Sequence, residues 1–280
     1  KEVIKMKNKK NYLIEEDFLG ERIKAIFSKK SFFSGSYFLM MNETTRESFI
    51  QLESVLKKEE GITIKNLFVP NAEHTSNIVN LDNNSAYKYA VYGRERDILL
   101  SMPKELCDSI YTRDLSKNLI IMPADCCCIG LYDYSTNLRA IIHAGWRGIK
   151  ENIIQKTMEK LIIEGLILRN TKAICFPSIS YENYEIDEKI AKDFAILIQE
   201  LGLKKKEYLN KMNNNSYYLN LKELQLKQLE IAGISKENTF IMNYDTFSSK
   251  EENGNYSFHS YRRDKLEWRN IAILTGEKEE

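Results

Sequence analysis

The chain of 280 residues carries 41 Lys and Arg against 40 Asp and Glu, which gives a formal net charge of +1. This balance excludes nucleic-acid binding that relies on bulk positive charge, and a hydrophobic fraction of 43% excludes an intrinsically disordered chain. No stretch approaches the roughly 18 uninterrupted apolar residues that a membrane span requires. We therefore expect neither a nucleic-acid nor a membrane partner.

Hydrophobic periodicity and capping residues predict strands and helices that alternate along the chain. In the first half of the chain, the predicted elements are a helix from Thr44 or Thr45 to Gly61, strands over Ile64–Val69 and Ala86–Tyr92, and an apolar run over Leu119–Tyr132 that is interrupted by Pro123 and Asp125. They are followed by a strand over Leu138–His143 and a helix over Ile149–Glu164. A helix from Asp187 to Gly202, a helix from Asn220 to Gly233 and a strand over Thr239–Asn243 complete the order. The segment Lys204–Asn215 is predicted to be a surface excursion. This order favours one α/β domain with mixed strands over residues 1–280.

The five cysteines do not form a disulfide framework. Their number is odd and three are consecutive: Cys107, Cys126, Cys127, Cys128 and Cys175. The basic segment Lys1–Asn11 lacks the apolar stretch of a secretory signal, so we expect a reducing, cytoplasmic compartment. Histidine chemistry is restricted to His74, His143 and His259, the only histidines in the sequence.

The segment Pro123–Gly148 is the most informative part of the chain. Two apolar strands flank the polar turn Asp133–Asn137, which predicts an antiparallel hairpin. If the turn is centred between Tyr134 and Ser135, Cys126 lies opposite His143 with Cβ atoms about 5 Å apart, close enough to share a metal ion. Alternation places Cys128 on the face of Cys126 and Cys127 on the other face, and both are predicted to be core residues.

Two features next to this hairpin point to chemistry. A carboxylate at Asp125, directly before Cys126, needs a partner to enter a core strand. The glycines around Trp146 and Arg147 predict a tight turn before a helix, where backbone N–H groups and an arginine favour an anion.

The residues Ala124-Asp125-Cys126, followed by the hexapeptide His143–Gly148 (HAGWRG), resemble the laccase-domain or multicopper polyphenol oxidase-like family, described as zinc-dependent purine nucleoside phosphorylases with adenosine deaminase activity. Further similar segments are Phe258–Asp264, in which His259 replaces a Phe of the family, Pro177–Ile179 with Tyr184-Glu185, Arg46, and His74 with Ile78-Val79. The likeness extends from Ala25 to Leu274, so residues 1–24 and 275–280 are expected to be peripheral ends. The resemblance implies a three-layer α/β (α+β) fold with mixed sheets packed together and flanked by helices.

The resemblance also implies His74, Cys126 and His143 as the ligands of a catalytic Zn²⁺ ion, with a fourth position left open. The implied substrates are phosphate and a purine nucleoside: adenosine, inosine, guanosine or methylthioadenosine. Asp125 is a candidate for orienting a ligand or for acid–base catalysis. Guanidinium groups bind phosphate bidentately, so the candidate contacts to phosphate or ribose are Arg46, Arg147, Arg262 and Arg263. Aromatic candidates for flanking the purine are Trp146, Tyr184 and His259.

Three other functions remain open from the sequence. A single Cu²⁺ ion could bind the same ligands and support polyphenol oxidation, although three histidines cannot hold the several coppers of a multicopper oxidase. Cys126 and His143 could instead be the nucleophile and base of a cysteine hydrolase. A non-enzymatic metal-binding protein is the third alternative.

Overall fold

The structure, a computed structural model, describes residues 6–20, 22–36, 43–83, 86–91, 98–212 and 216–276, with only the backbone for 87–91. Within these ranges the helices are α1 (Glu43–Glu60), α2 (Trp146–Lys150), α3 (Ile153–Ile163), α4 (Glu188–Glu200), α5 (Lys205–Tyr208), α6 (Leu221–Ile231) and α7 (Tyr261–Asp264). No helix among the described residues has the length and apolar character needed to cross a bilayer.

Most strands of the described chain belong to two mixed sheets. The first has the order β1 (Lys7–Asn8), β2 (Tyr12–Glu15), β3 (Ala25–Ser28), β17 (Ala272–Leu274), β9 (Asn118–Ile121), β4 (Asn66–Phe68), β7 (Ile98–Pro103) and β6 (Ala86–Val91). The second has the order β16 (Thr239–Ile241), β12 (Thr171–Cys175), β10 (Cys127–Asp133), β11 (Leu138–Ala144), β8 (Ser109–Thr112) and β5 (Ile78–Asn80). A small third sheet has the order β13 (Glu185–Ile186), β15 (Tyr217–Leu219) and β14 (Leu209–Lys211).

The two large sheets pack face to face, and helices cover their outer surfaces. Phe27 and Leu274 of the first sheet share a buried cluster with Cys128 and Ile141 of the second. The other face of the first sheet packs against α1, and the other face of the second packs against α3, α4 and α6. Alternating side chains therefore fill three apolar layers. The predicted α/β fold, with mixed sheets packed together and flanked by helices, is confirmed.

The helices predicted to begin at Thr44 or Thr45, Asp187 and Asn220 are present as α1, α4 and α6, although α1 already includes Glu43. Asp187 accepts the Ile190 N–H (2.9 Å) and Asn220 accepts the Glu223 N–H (3.2 Å), so both side chains cap their helices as expected.

Three expectations from the sequence are wrong in part. The single helix over Ile149–Glu164 is broken between α2 and α3, because Asn152 adopts a left-handed conformation (φ 58°). The supposed surface excursion Lys204–Asn215 contributes α5 and β14, with Tyr208 and Leu209 buried, and its residues 213–215 lie outside the described residues. The N-terminal segment 1–24 is not wholly peripheral, because Tyr12, Leu13 and Ile14 in β2 are fully buried.

Candidate metal centre and adjoining polar site

Strands β10, β11 and β5 of the second sheet bring the predicted ligands close together. Cys126 directly precedes β10, His143 lies near the end of β11, and His74 lies in the loop before β5, which is separated from β11 by β8. The ligand atoms of the three residues lie within 4.8 Å of one another. The two imidazole rings are 5.1 Å apart between centroids and inclined at 66°. The structure thus brings together all three side chains expected to bind metal.

The hairpin that carries Cys126 and His143 has a different register from the predicted one. Cys128, rather than Cys126, is paired with His143, and Asp133 is paired with Leu138. The turn therefore comprises residues 134–137, held by bonds from the Ser135 N–H and hydroxyl to Asp133. Cys126 reaches His143 from the segment before β10, which bends at Asp125 (φ 92°). Cys127 and Cys128 face opposite sides of β10, as expected, since the two thiols enter different apolar clusters.

Gly145 lies against all three candidate ligands. A Cβ atom at this position would be 3.0 Å from His74 Cδ2, 3.4 Å from Cys126 Sγ and 3.6 Å from His143 Cε1. Its backbone angles, φ −63° and ψ 169°, are ordinary for any residue. Glycine is therefore required at position 145 because the three candidate ligands leave little space for a side chain.

A buried carboxylate that the sequence analysis missed contacts this cluster. Asp108 Oδ1 lies 2.7 Å from His143 Nδ1, and the side chain is fully buried. Burial raises the pKa of Asp108, but the hydrogen bond and charge of His143, with bonds from Thr75, hold it below its usual value. Asp108, rather than Asp125, is the carboxylate in hydrogen-bond contact with a predicted ligand.

The electrostatics of the cluster favour metal binding. Burial raises the pKa of Cys126, but the charge and hydrogen bond of His143, with those of His74, lower it to about 6. Burial lowers the pKa of His143, but Cys126 and Asp108 together raise it to about 10. The lowered pKa of Cys126 favours the thiolate, which is the form of cysteine that binds metal. A thiolate and two imidazoles are the donors that Zn²⁺ prefers, so the residues present fit this ion.

Asp125 forms a second polar group beside Cys126. Its oxygens accept bonds from Thr246 Oγ1 (2.7 Å), Ser260 Oγ (3.0 Å) and the Arg262 N–H (2.7 Å). Burial raises the pKa of this carboxyl above its usual value, and these three bonds only partly offset the effect. The hydrogen-bond donors that allow a carboxylate to be buried at this position therefore come largely from the segment that includes Ser260 and Arg262.

Tyr184 and Arg262 lie next to Asp125. The Arg262 guanidinium is 5.1 Å from the centroid of the Tyr184 ring and donates to the Glu185 carbonyl (2.6 Å). Burial, together with the charge of Cys126, raises the pKa of Tyr184. Arg147 is exposed on α2, with its guanidinium 4.3 Å from the Trp146 ring centroid.

Arg263 was predicted to bind substrate, but its guanidinium is used within the protein. It forms an ion pair with Asp264 (2.7 Å) and donates to the carbonyls of Phe247 (2.5 Å) and Phe258 (2.8 Å). It also lies 3.8 Å from the Tyr256 ring centroid. With these donors occupied, Arg263 holds the segment 246–258 in place, and we assign it a structural role.

Arg46 and His259, which were also predicted to contact substrate, lie in different surroundings. Arg46 is half-buried in α1, and its buried Nε has no hydrogen-bond partner within the described part of the chain, which leaves a donor for a ligand. His259 is buried, and its Nε2 contacts Ser34 Oγ (3.0 Å) and the Phe33 carbonyl (3.1 Å). These contacts occupy the imidazole edge, so the structure gives no support for a purine-flanking role of His259.

The sequence comparison identifies the family. A model described as multi-copper polyphenol oxidoreductase laccase matches residues 42–275. The chain belongs to this family. The resemblance inferred from the HAGWRG hexapeptide is therefore confirmed.

The curated relatives of this laccase-like chain are named purine nucleoside phosphorylases rather than oxidases. A purine nucleoside phosphorylase of Rickettsia prowazekii is 26% identical over 240 residues, which cover 84% of this chain and 88% of the relative. A purine nucleoside phosphorylase of Staphylococcus epidermidis is 28% identical over 171 residues, 61% of this chain, and the match spans only 60% of that relative's length.

Solved structures share the fold of this laccase-like chain. The hypothetical protein YfiH of Bacillus licheniformis superimposes with a TM-score of 0.76 at 19% identity, covering 98% of this chain and 99% of its own. YlmD of Geobacillus stearothermophilus gives a TM-score of 0.73 at 18% identity, with the same coverage of both chains.

Proposed function

We propose that this protein is a zinc-dependent purine nucleoside phosphorylase, with adenosine deamination as a second activity. The observation that carries the proposal is the cluster of His74, Cys126 and His143, whose ligand atoms lie within 4.8 Å of one another. Three protein ligands with a further coordination position open are typical of catalytic zinc. The names of the curated relatives support the choice of purine nucleosides and phosphate as substrates.

Zinc held by these three residues would supply a Lewis acid that also activates water at neutral pH. In phosphorolysis, a phosphate oxygen replaces the purine nitrogen at ribose C1′, giving ribose 1-phosphate and a free base that takes up a proton. In deamination, water adds at C6 of adenosine and ammonia leaves, giving inosine. We propose adenosine, inosine, guanosine and methylthioadenosine as the nucleosides to test.

The other candidate residues have distinct proposed roles. Asp125 directly precedes Cys126 in the chain, so its carboxyl is the proposed acid that supplies a proton to the departing base. Arg46 and Arg262 are proposed to bind phosphate or ribose, because guanidinium groups bind phosphate bidentately and the buried Arg46 Nε has no hydrogen-bond partner among the described residues. Tyr184 and Arg147 are proposed to border the nucleoside.

The test is a phosphate-dependent assay on zinc-loaded protein. We expect inosine and adenosine to yield free base and ribose 1-phosphate only when phosphate is present. Cys126→Ser should abolish turnover and release zinc, because it removes the thiolate ligand. Cys127→Ser makes the same change one residue away, on the opposite face of β10, and should retain both. No product from the zinc-loaded protein would refute the proposed function.

A cysteine hydrolase is a second candidate, favoured by the lowered pKa of Cys126 and the raised pKa of His143. A metal-free protein that turns over substrate and is inactivated by alkylation of Cys126 would support it. If the zinc-loaded protein acts on no nucleoside, a non-enzymatic metal-binding role is favoured. If the protein oxidises phenols only when Cu²⁺ is bound, an oxidase is favoured.

A further inference from the structure

We propose that Asp108 is the positioning residue of the metal centre, and that its single carboxylate fixes both histidine ligands. The inference rests on the proposed metal centre and goes beyond it, because Asp108 belongs to no motif noted in the sequence. It contacts neither the proposed substrate nor the metal position directly, and it acts through His74 and His143.

The strand order places Asp108 between the two histidines. β8 lies between β11, which carries His143, and β5, which follows the His74 loop. The antiparallel register pairs Ile142 with Ser109, so the next pair along the ladder is His143 with Asp108. The His143 N–H donates to the Asp108 carbonyl (2.7 Å), which continues the ladder to this pair. Asp108 is therefore opposite one ligand and adjacent to the loop of the other.

The carboxylate fixes the imidazole of His143 directly. Oδ1 lies 2.7 Å from His143 Nδ1, and an ionised carboxylate only accepts hydrogen bonds, so the proton lies on Nδ1. This tautomer leaves the lone pair of Nε2 free for a metal ion. Carboxylates that accept a hydrogen bond from a ligating histidine fix its orientation and raise its basicity.

The same carboxylate holds the His74 loop through the backbone. It accepts the N–H groups of three successive residues: Glu73 (3.3 Å), His74 (3.1 Å) and Thr75 (2.6 Å). The Thr75 hydroxyl donates to it as well (2.8 Å). His74 itself has φ 58°, a left-handed conformation that costs free energy in a non-glycine residue. The bonds to Asp108 offset that cost and keep the His74 ring beside Cys126.

Asp108→Asn separates this role from a general contribution to stability. The amide is almost isosteric, and its oxygen can still accept the N–H of Thr75. Its NH₂ group then faces His143 Nδ1 and donates to it. This reversal moves the imidazole proton to Nε2, the nitrogen that must bind the metal. We expect the dissociation constant for zinc to rise by about 10- to 100-fold.

Asp133→Asn is the matched control. Asp133 is also fully buried and accepts bonds from Ser135, Thr136 and the Ile167 N–H, but it lies at the far end of β10, roughly 20 Å along the strand. We expect Asp133→Asn to lower thermal stability and leave zinc affinity unchanged. With Co²⁺ in place of zinc, Asp108→Asn should alter the visible d–d bands, whereas Asp133→Asn should not.

Zinc and cobalt binding are measured without nucleoside, which separates this proposal from the proposed function. Unchanged zinc affinity in Asp108→Asn, or equal weakening in both variants, would overturn the positioning role. Wild-type protein that takes up neither metal would overturn it together with the metal centre. Metal binding that depends on Asp108, in a protein that turns over no nucleoside, would refute the proposed function alone.

Discussion

The buried imidazole of His259 should make the stability of the fold depend on pH. The residue is 5% exposed, and its Nε2 lies near the Phe33 carbonyl and the Ser34 hydroxyl. Burial lowers the pKa of His259 to about 4, because it disfavours the charged form more than the Phe33 carbonyl stabilises it. The folded protein therefore keeps this ring neutral at pH values where the unfolded chain is protonated.

The sign and the size of the effect follow from these two pKa values. The unfolded ring titrates near pH 6.5 and the folded ring near pH 4. The contribution of His259 is fully present above pH 6.5 and is lost progressively as the pH falls toward 4. At pH 5 the unfolded chain gains the proton and the folded chain mostly does not, so the free energy of unfolding falls by about 2 kcal/mol. By pH 4 the loss approaches about 3 kcal/mol.

Urea unfolding of wild type and His259→Gln, at pH 7.5 and pH 5.0 with equal zinc, measures this contribution. The Gln amide can still donate to the Phe33 carbonyl but does not titrate. Carboxylates and the metal ligands titrate in both proteins, so their effects cancel in the comparison. We expect wild type to lose about 2 kcal/mol more than the variant between the two pH values. Equal losses would show that His259 is not held neutral by burial.

Three further substitutions test the site. Gly145→Ala places a methyl group 3.0 Å from His74 Cδ2, so zinc affinity in a binding titration should fall by about tenfold, and an unchanged affinity would contradict the close approach. Asp125→Asn should keep its zinc content but lower kcat by about 100-fold or more, whereas wild-type kcat would exclude acid catalysis by Asp125. Arg263→Met removes the donor to the carbonyls of Thr246, Phe247 and Phe258, so urea unfolding should show a loss of about 3 kcal/mol. A changed KM for phosphate at unchanged stability would instead restore Arg263 to the substrate site.

Local patterns in the sequence were sufficient for elements whose signals lie within a few residues. α4 and α6 begin where Asp187 and Asn220 cap them, and α1 presents the expected apolar face. The break at Asn152 was not predictable in this way, because the apolar periodicity continues through it. Gln228, from a distant helix, donates to Asn152 Oδ1 and to the Ile149 carbonyl and supports the break.

The candidate site was predictable only as far as its motifs reach. The sequence indicated Cys126 and His143, but alternation of side chains does not determine how many residues a turn uses, so the register was wrong. Asp108 was out of reach, because it lies 34 residues from His74 and 35 from His143 in the chain. Its proximity to both depends on the order of strands in the folded sheet. The available signal was a carboxylate directly before the buried strand β8.

The three consecutive cysteines offer a set of reporters in different surroundings. The pKa of the Cys126 thiol is about 6, whereas burial raises that of Cys127 to about 12 and also raises that of Cys128 well above its usual value. Cys127 lies under the helical layer and Cys128 lies between the sheets. A single alkylation time course read by mass spectrometry should therefore distinguish separate events. The rate at which Cys126 is modified would report on metal release, and the order in which Cys127 and Cys128 are modified would show which apolar layer opens first.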